Sequence, residues 1–302
     1  MTVSVALDVR SPVGRRGHYG AWRATAAAPA MLGSLALLLV LFGFLGQWEP
    51  VAILGWLVSG ALVFTRLGER VTVRTAMEFR PLTSRQAAAL AGVWPAALAQ
   101  AGYRADQIDL YVQPSALVNA YAAGGRSVAV SAGALREFLS RRLSGDRMRA
   151  VLVHELGHHR TGGTRFSLVV LWLAMPWRAA SRLVLGLCYG LAGRRQPLAL
   201  LGIVVVAAVG IAVGQAVRQG HWAAAAVLSG VIVCAVVCPV ADAYVARRSE
   251  FAADRFAAAR GAAPELAAAL GQLGGDERRV RGVAKLLSRH PSIERRRAAL
   301  AS

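Results

Sequence analysis

The sequence predicts a predominantly α-helical integral membrane protein with about four transmembrane helices and a smaller α+β domain. Three observations carry that expectation. The 302 residues are 56% hydrophobic and only 17% charged, with a mean hydropathy of +0.45, which is too apolar for an ordinary soluble chain of this size. Four runs free of Asp, Glu, Lys and Arg have lengths at or near that of a membrane span. Between them, a polar region mixes strand-like and helix-like patterns around His154-Glu155-Leu156-Gly157-His158.

Taken in order, residues 1–27 form a basic, Gly-containing leader. Residues 28–65 form a transmembrane hairpin, its runs being Ala24 to Trp48 and Pro50 to Thr65. The first run is longer than a usual signal h-region of about 7–15 residues, lacks a small-x-small cleavage site and is followed at once by more apolar sequence, so it reads as a retained anchor. Residues 66–165 read as the first part of the α+β domain. Ser84 is a plausible cap for an Ala-rich helix to Ala101, with Pro95 as a kink. Ile108 to Val112 reads as a strand, and Ala116–Ala122 with Arg126–Ser131 read as a hairpin around Gly124-Gly125. A helix near Ala132–Leu139 follows, and then one capped by Ser144 or Asp146 that carries the histidines. Residues 166–193 are apolar but interrupted by Pro176, Arg178 and Arg182, which suits an amphipathic or re-entrant segment. Residues 196–241 supply a second transmembrane hairpin, from Gln196 to Val217 and Gln219 to Ala241. Residues 242–302 return to a helical domain with Pro264 in a first turn and Asp276 and Ser292 as caps.

The net charge of +19 is better explained by topology than by nucleic acid. Arg10, Arg15, Arg16 and Arg23 precede the first run, and Arg66, Arg70, Arg74 and Arg80 follow the second. Arg194 and Arg195 precede the third, and Arg247 and Arg248 follow the fourth. The turns within the hairpins carry one basic residue, Arg218. Positive-inside asymmetry then places both termini and the histidine helix in the cytoplasm. No interleaved aromatics or binding fold points to nucleic acid. Of the 35 basic residues only Lys285 is lysine, leaving 34 arginines, a bias that GC-rich bacterial codons produce. Cys188, Cys234 and Cys238 all fall in apolar segments and read as small helix residues, not ligands.

His154 and His158 are four apart on a helix, so their imidazoles can reach one metal ion. Glu155 projects toward the same site, where it can take a proton from a water held by that metal. A random arrangement of these residues would give the pattern roughly 0.004 times per chain. His159 lies about 140° round the helix from His154 and reads as a helix-end charge. A catalytic zinc needs a third protein ligand and an open fourth position. Glu250, just beyond the fourth run, is the candidate; its alternative is a solvated carboxylate paired with Arg247 or Arg248. Asp254, four residues on, can orient a ligating histidine through the outer ring nitrogen.

With these motifs the chain resembles the HtpX/Ste/Oma group of membrane zinc metalloproteases, gluzincins related to the CAAX prenyl proteases. The matching elements are His154-Glu155-Leu156-Gly157-His158, Glu250-x-x-x-Asp254, Asn119-Ala120-Tyr121-Ala122 and His290-Pro291-Ser292-Ile293-Glu294-Arg295-Arg296. Tyr121 stands for a usual Phe and Ser292 for a common second Pro. The resemblance implies a gluzincin-like α+β zincin domain holding one Zn2+ per chain on His154, His158 and Glu250. It implies Glu155 as base, His290 as oxyanion partner, and Asn119 to Ala122 with Arg296 as substrate contacts. The expected activity is endopeptidase cleavage of membrane or misfolded proteins at the cytoplasmic face of a bacterial plasma membrane. The alternatives are a CAAX-type prenyl protease and a zinc-binding membrane sensor or scaffold.

Overall fold

The computed structural model describes residues 19–164, 166–192, 197–273, 288 and 290–301. The first eighteen residues of the leader, residues 193–196 with Arg194 and Arg195, and the expected cap Asp276 lie outside them, as do the side chains of the three cysteines. The described chain is mostly helical, with one small sheet.

The apolar N-terminal region folds as α1 (Tyr19–Phe42), a 3-10 segment (Gly43–Trp48) and α2 (Glu49–Leu62). The break centres on Gly46, whose φ of 56° and ψ of −123° are costly for any residue with a Cβ. Ala24–Leu62 is the one stretch among the described residues long and apolar enough to cross a membrane. The predicted third and fourth runs lie in helices α9 (Pro197–Arg218) and the first part of α10 (Trp222–Ala259).

The predicted interfacial segment is one helix, α8 (Ser167–Ala192), against which both α1 and α2 pack. Gly33 makes the approach possible: a Cβ there would stand 2.7 Å from the Trp177 ring. Next to Pro176, the Trp177 N–H donates to Ser34 Oγ at 3.1 Å, and Trp172 Nε1 donates to the Trp56 carbonyl at 3.3 Å. Apolar surroundings demand such partners for polar groups.

The polar region forms α3 (Arg66–Ala76), α4 (Ser84–Leu90), α5 (Val93–Ala101), α6 (Ala132–Leu139) and α7 (Gly145–Arg160). Its strands are β1 (Arg80–Pro81), β2 (Asp109–Gln113), β3 (Ala120–Ala123) and β4 (Ser127–Ser131), in the order β1-β2-β4-β3. The expected hairpin is present as antiparallel β3 and β4, but β4 also pairs in parallel with β2, leaving β3 at the edge. The expected Ala-rich helix is two helices. Thr83, not Ser84, caps the first through a reciprocal box with Gln86. Pro95 lies in the first turn of the second, where its missing N–H costs nothing, so it kinks no helix. Ser144 caps α7 through the Arg147 N–H.

A core of Leu98, Val128, Val130, Leu135, Met148, Leu152, Leu156, Phe256 and Leu266 surrounds α7. Helix α11 (Ala263–Leu273) packs on α7, and α12 (Ile293–Ala301) packs on α10 and α11.

Glu69 ties α3 to the sheet. Its buried carboxylate accepts hydrogen bonds from the N–H groups of Gly125 (3.0 Å) and Arg126 (2.8 Å) and from Ser127 Oγ (2.7 Å). The β3–β4 turn presents consecutive amides as a concave anion site, filled from within the chain. Removing the carboxylate orphans three donors at once. Glu69→Ala should therefore destabilise the protein by about 2–3 kcal/mol, against roughly 0.5 or less for the exposed Arg136→Ala. Thermal unfolding in detergent measures the difference, and equal melting temperatures would remove the clamp from the fold's supports.

Candidate metal centre

Helix α7 is buried over almost its whole length, so its two histidines enter the core instead of facing solvent. One turn of α10 lies directly against them. Gly157 permits this approach, because a Cβ there would meet Phe256 Cδ1 at 3.0 Å and the Ala253 carbonyl oxygen at 3.2 Å. The glycine between the histidines is thus a packing requirement that lets the Glu250 turn come close.

The result is a compact cluster. His154 Nε2 stands 3.6 Å from Glu250 Oε2, and His158 Nε2 stands 3.5 Å from Glu250 Oε1. The imidazole centroids are 4.9 Å apart and nearly perpendicular. Bonds of about 2.0–2.1 Å in a tetrahedron separate zinc ligand atoms by roughly 3.3 Å, which these pairs approach. His154, His158 and Glu250 are all buried and together could hold one ion.

The outer nitrogens are engaged too. His154 Nδ1 lies 2.9 Å from Asp254 Oδ1, and His158 Nδ1 lies 3.3 Å from Ser249 Oγ. Both rings therefore present Nε2 toward Glu250 while a neighbour on α10 holds the other side. Asp254 sits where the sequence places it. Ser249 is a contact that the sequence reading missed, its only signal being a hydroxyl adjacent to the candidate ligand.

His290, with its side chain 66% exposed, brings Nδ1 to 3.5 Å from Glu250 Oε1. Arg296 departs from its expected place among the substrate contacts. Its side chain is only 10% exposed and grips Asp254 with two bonds, Nη2 to Oδ1 at 2.7 Å and Nε to Oδ2 at 2.9 Å. Nη1 reaches Glu250 Oε2 at 3.2 Å. Two buried carboxylates draw the guanidinium inward. Glu155 is buried beside these groups, close enough for its charge to act on His290 and Arg296. His159 is a correction as well. Its Nε2 lies 3.1 Å from the Ser127 carbonyl and its Nδ1 3.0 Å from Thr164 Oγ1, and burial lowers its pKa to about 4. It is a neutral link between α7 and β4, not a helix-end charge.

Asn119 and Ala120 to Ala122 lie along β3, which packs beside α7. The Ser131 N–H donates to the Asn119 carbonyl at 2.9 Å. Antiparallel alternation then turns the Tyr121 backbone groups toward β4 and those of Ala120 and Ala122 toward the open edge. Asn119 Oδ1 accepts from the Ala120 N–H at 2.9 Å.

A buried pair of histidines and a carboxylate, with both outer nitrogens supported, is a group that could hold a zinc ion of the kind metallopeptidases use. Residues 84–302 match Peptidase family M48, and the chain belongs to that family. It is a zinc-dependent metalloendopeptidase. No curated protein matches the chain.

Electrostatics set how the centre takes up its ion. Burial opposes charge on Glu250, but hydrogen bonds from His154, His158 and His290 hold its carboxyl well below the usual range. Burial also opposes charge on His154, yet Asp254 and Glu250 outweigh it and raise the imidazole to about 9. Zinc must therefore displace a proton from His154 at neutral pH. Apparent zinc affinity should climb by about tenfold per pH unit from 7 toward 9 and then level off. In Asp254→Asn the rising limb should move down toward the ordinary histidine range near 6.5. Chelator-buffered zinc titrations measure both curves; an affinity flat between pH 7 and 9 in the unmodified chain would contradict this coupling.

Proposed function

We propose that the chain is a multi-pass enzyme of a bacterial plasma membrane that cleaves extended segments of membrane or misfolded proteins at the cytoplasmic face, as HtpX-like quality-control proteases do. The observation that carries the reading is the convergence of His154, His158 and Glu250 beside an unpaired sheet edge. The apolar Ala24–Leu62 stretch supports membrane embedding. The predicted apolar segments of α9 and α10, flanked by the arginines of Arg247-Arg248, support the cytoplasmic placement.

His154, His158 and Glu250 are the proposed zinc ligands, and Asp254 and Ser249 fix the two imidazoles. When bound, zinc would polarise the scissile carbonyl and acidify the attacking water. Glu155 acts as general base, taking the proton of that water and returning it to the leaving amine. His290, whose pKa is raised by its neighbour Glu250, can donate a hydrogen bond to the developing oxyanion. A substrate strand adds to β3 through the outward backbone groups of Ala120 and Ala122. Since Asn119 already occupies the Ala120 N–H, that amide is withdrawn and pairing rests on the Ala120 carbonyl and both Ala122 groups. Tyr121 lies between them in the strand. Arg296 holds Asp254 and Glu250 in place, with its Nη2 also 3.2 Å from His154 Nε2.

Glu155→Gln should lose hydrolysis by about 100-fold or more while keeping near-stoichiometric zinc, since only the base is removed. Glu250→Ala should lose zinc and activity together, whereas Glu265→Ala on α11 should change neither. Metal analysis paired with casein cleavage by detergent-purified protein reads both. Full turnover in Glu155→Gln would overturn the mechanism, and full zinc in a folded Glu250→Ala would place the third ligand elsewhere.

Topology has its own test. Reporter fusions after Thr65, Arg165 and Ser302 should all report the cytoplasm, and fusions at Glu49 and Gly220 the opposite side. A cytoplasmic signal at Gly220 would break the four-span arrangement.

A further inference from the structure

Helix α3 buries Val73 and Glu69 on its inner face, at 0% and 3% exposure, yet Leu67 and Val71, one turn apart on the outer face, are 72% and 52% exposed. A soluble domain gains nothing from showing two large apolar side chains together on one helix face. The inner polarity has its explanation in the three donors that Glu69 satisfies. The outer apolar stripe has none within the domain.

Its position supplies one. The N-cap, Thr65, follows three residues after the end of α2. The exposed apolar surface of α2, including Leu54, Val58 and Leu62, continues through Phe64 into Leu67 and Val71. Phe64 stacks edge-on against Phe166 at 5.8 Å, at the start of α8. Basic groups border this stripe. Arg74 is exposed, and Arg126 Nη1 donates to the Phe64 carbonyl at 3.5 Å. Arg66 and Arg70 remain partly exposed while contacting Asp109 at 3.1 and 2.9 Å. The acidic groups nearby are that Asp109, the exposed Asp106 beside Arg66, the buried Glu69, and Glu78 just past the helix.

We propose that α3 is a membrane-surface helix: Leu67 and Val71 enter the headgroup–acyl boundary of an anionic leaflet, and the arginines around them meet its phosphates. This rests on the reading of α1 and α2 as membrane-embedded. Its consequence is specific to the substrate edge. Glu69 grips the turn that ends β3, so the strand offered to substrate is fixed to the helix lying on the lipid. The substrates favoured are then polypeptide segments at the bilayer surface, met as they emerge from it.

The test uses the full chain with Cys188, Cys234 and Cys238 replaced by alanine and single cysteines at Leu67, Val71, Leu57 or Leu117. Each carries an environment-sensitive fluorophore in phosphatidylcholine vesicles with or without phosphatidylglycerol. Labels at 67 and 71 should lose iodide quenching and gain quenching from a nitroxide placed near the lipid headgroup. Adding Arg74→Glu should weaken that lipid contact in anionic vesicles and leave it unchanged in zwitterionic ones. The label at 57 should be quenched by lipid and the one at 117 by iodide. If 57 reports lipid while 67 and 71 are as iodide-accessible as 117, the surface helix is wrong and the embedded hairpin stands. Protection of 67 and 71 from iodide and nitroxide alike would mean that protein covers the stripe, which also overturns the proposal. Iodide access at 57 would remove the embedded hairpin and the proposal with it.

Discussion

The structure depends on burying two carboxylates of α10 against two imidazoles of α7. Taking a carboxylate out of water costs several kcal/mol even after relaxation, so Glu250 and Asp254 are tolerable only if nearly every lone pair finds a donor or cation. They do. Asp254 is held between His154 Nδ1 and a bidentate Arg296, and Glu250 faces His154, His158, His290 and Arg296. These partners come from α7, from α12 and from His290 just before it, so both helices must be in place against α10 before either carboxylate is affordable. The cluster makes the domain's assembly and the readiness of its metal centre one event.

That arrangement explains features that would otherwise look unrelated. Gly157 serves Glu250, since any side chain at the α7–α10 contact would push the third ligand away from the imidazoles. The inward turn of Arg296 supplies positive charge to two carboxylates before an ion arrives, so the ligand geometry does not have to await zinc. Helix α10 runs from the apolar segment to the centre without a break. At 1.5 Å per residue, the 28 residues from Trp222 to Glu250 cover roughly 42 Å. A tilt of that helix would move Glu250 relative to α7, so the apolar segment and the metal centre are mechanically joined.

Much of the site was legible because its chemistry is local. His154, Glu155 and His158 lie within one turn and a half, and Glu250 and Asp254 share a face of another helix; spacing alone places each set. The expected hairpin was legible for a similar reason, the Gly124-Gly125 turn between two short strand-like runs. What escaped depends on contacts across long separations. The parallel pairing of β2 with β4 follows from where the intervening strand is put, which alternation cannot decide. His159 looks like a helix-end cation until Ser127, 32 residues away, takes one of its nitrogens. Arg296, expected among the substrate contacts, is drawn inward from Arg295-Arg296-Arg297 by Asp254, 42 residues away. The cap of the Ala-rich segment was missed for the opposite reason: Thr83 and Gln86 are a local signal, but Ser84 offered an equally ordinary cap one residue away.

Two buried carboxylates outside ordinary core chemistry, Glu69 and Glu250, therefore mark the two ends of one working surface. Glu69 fixes the far end of β3 through the turn amides, and Glu250 stands opposite the imidazoles of α7, with β3 packed beside that helix. Each is expensive alone and stable only in a single arrangement of its donors, so each specifies position more sharply than an apolar contact could. A strand pinned at its turn and flanked by a rigid helix keeps the outward groups of Ala120 and Ala122 at a constant offset from the metal ligands. Peptide cleavage by strand addition requires that constancy, because the scissile carbonyl is placed by pairing register and a shift of one residue would present the wrong backbone group.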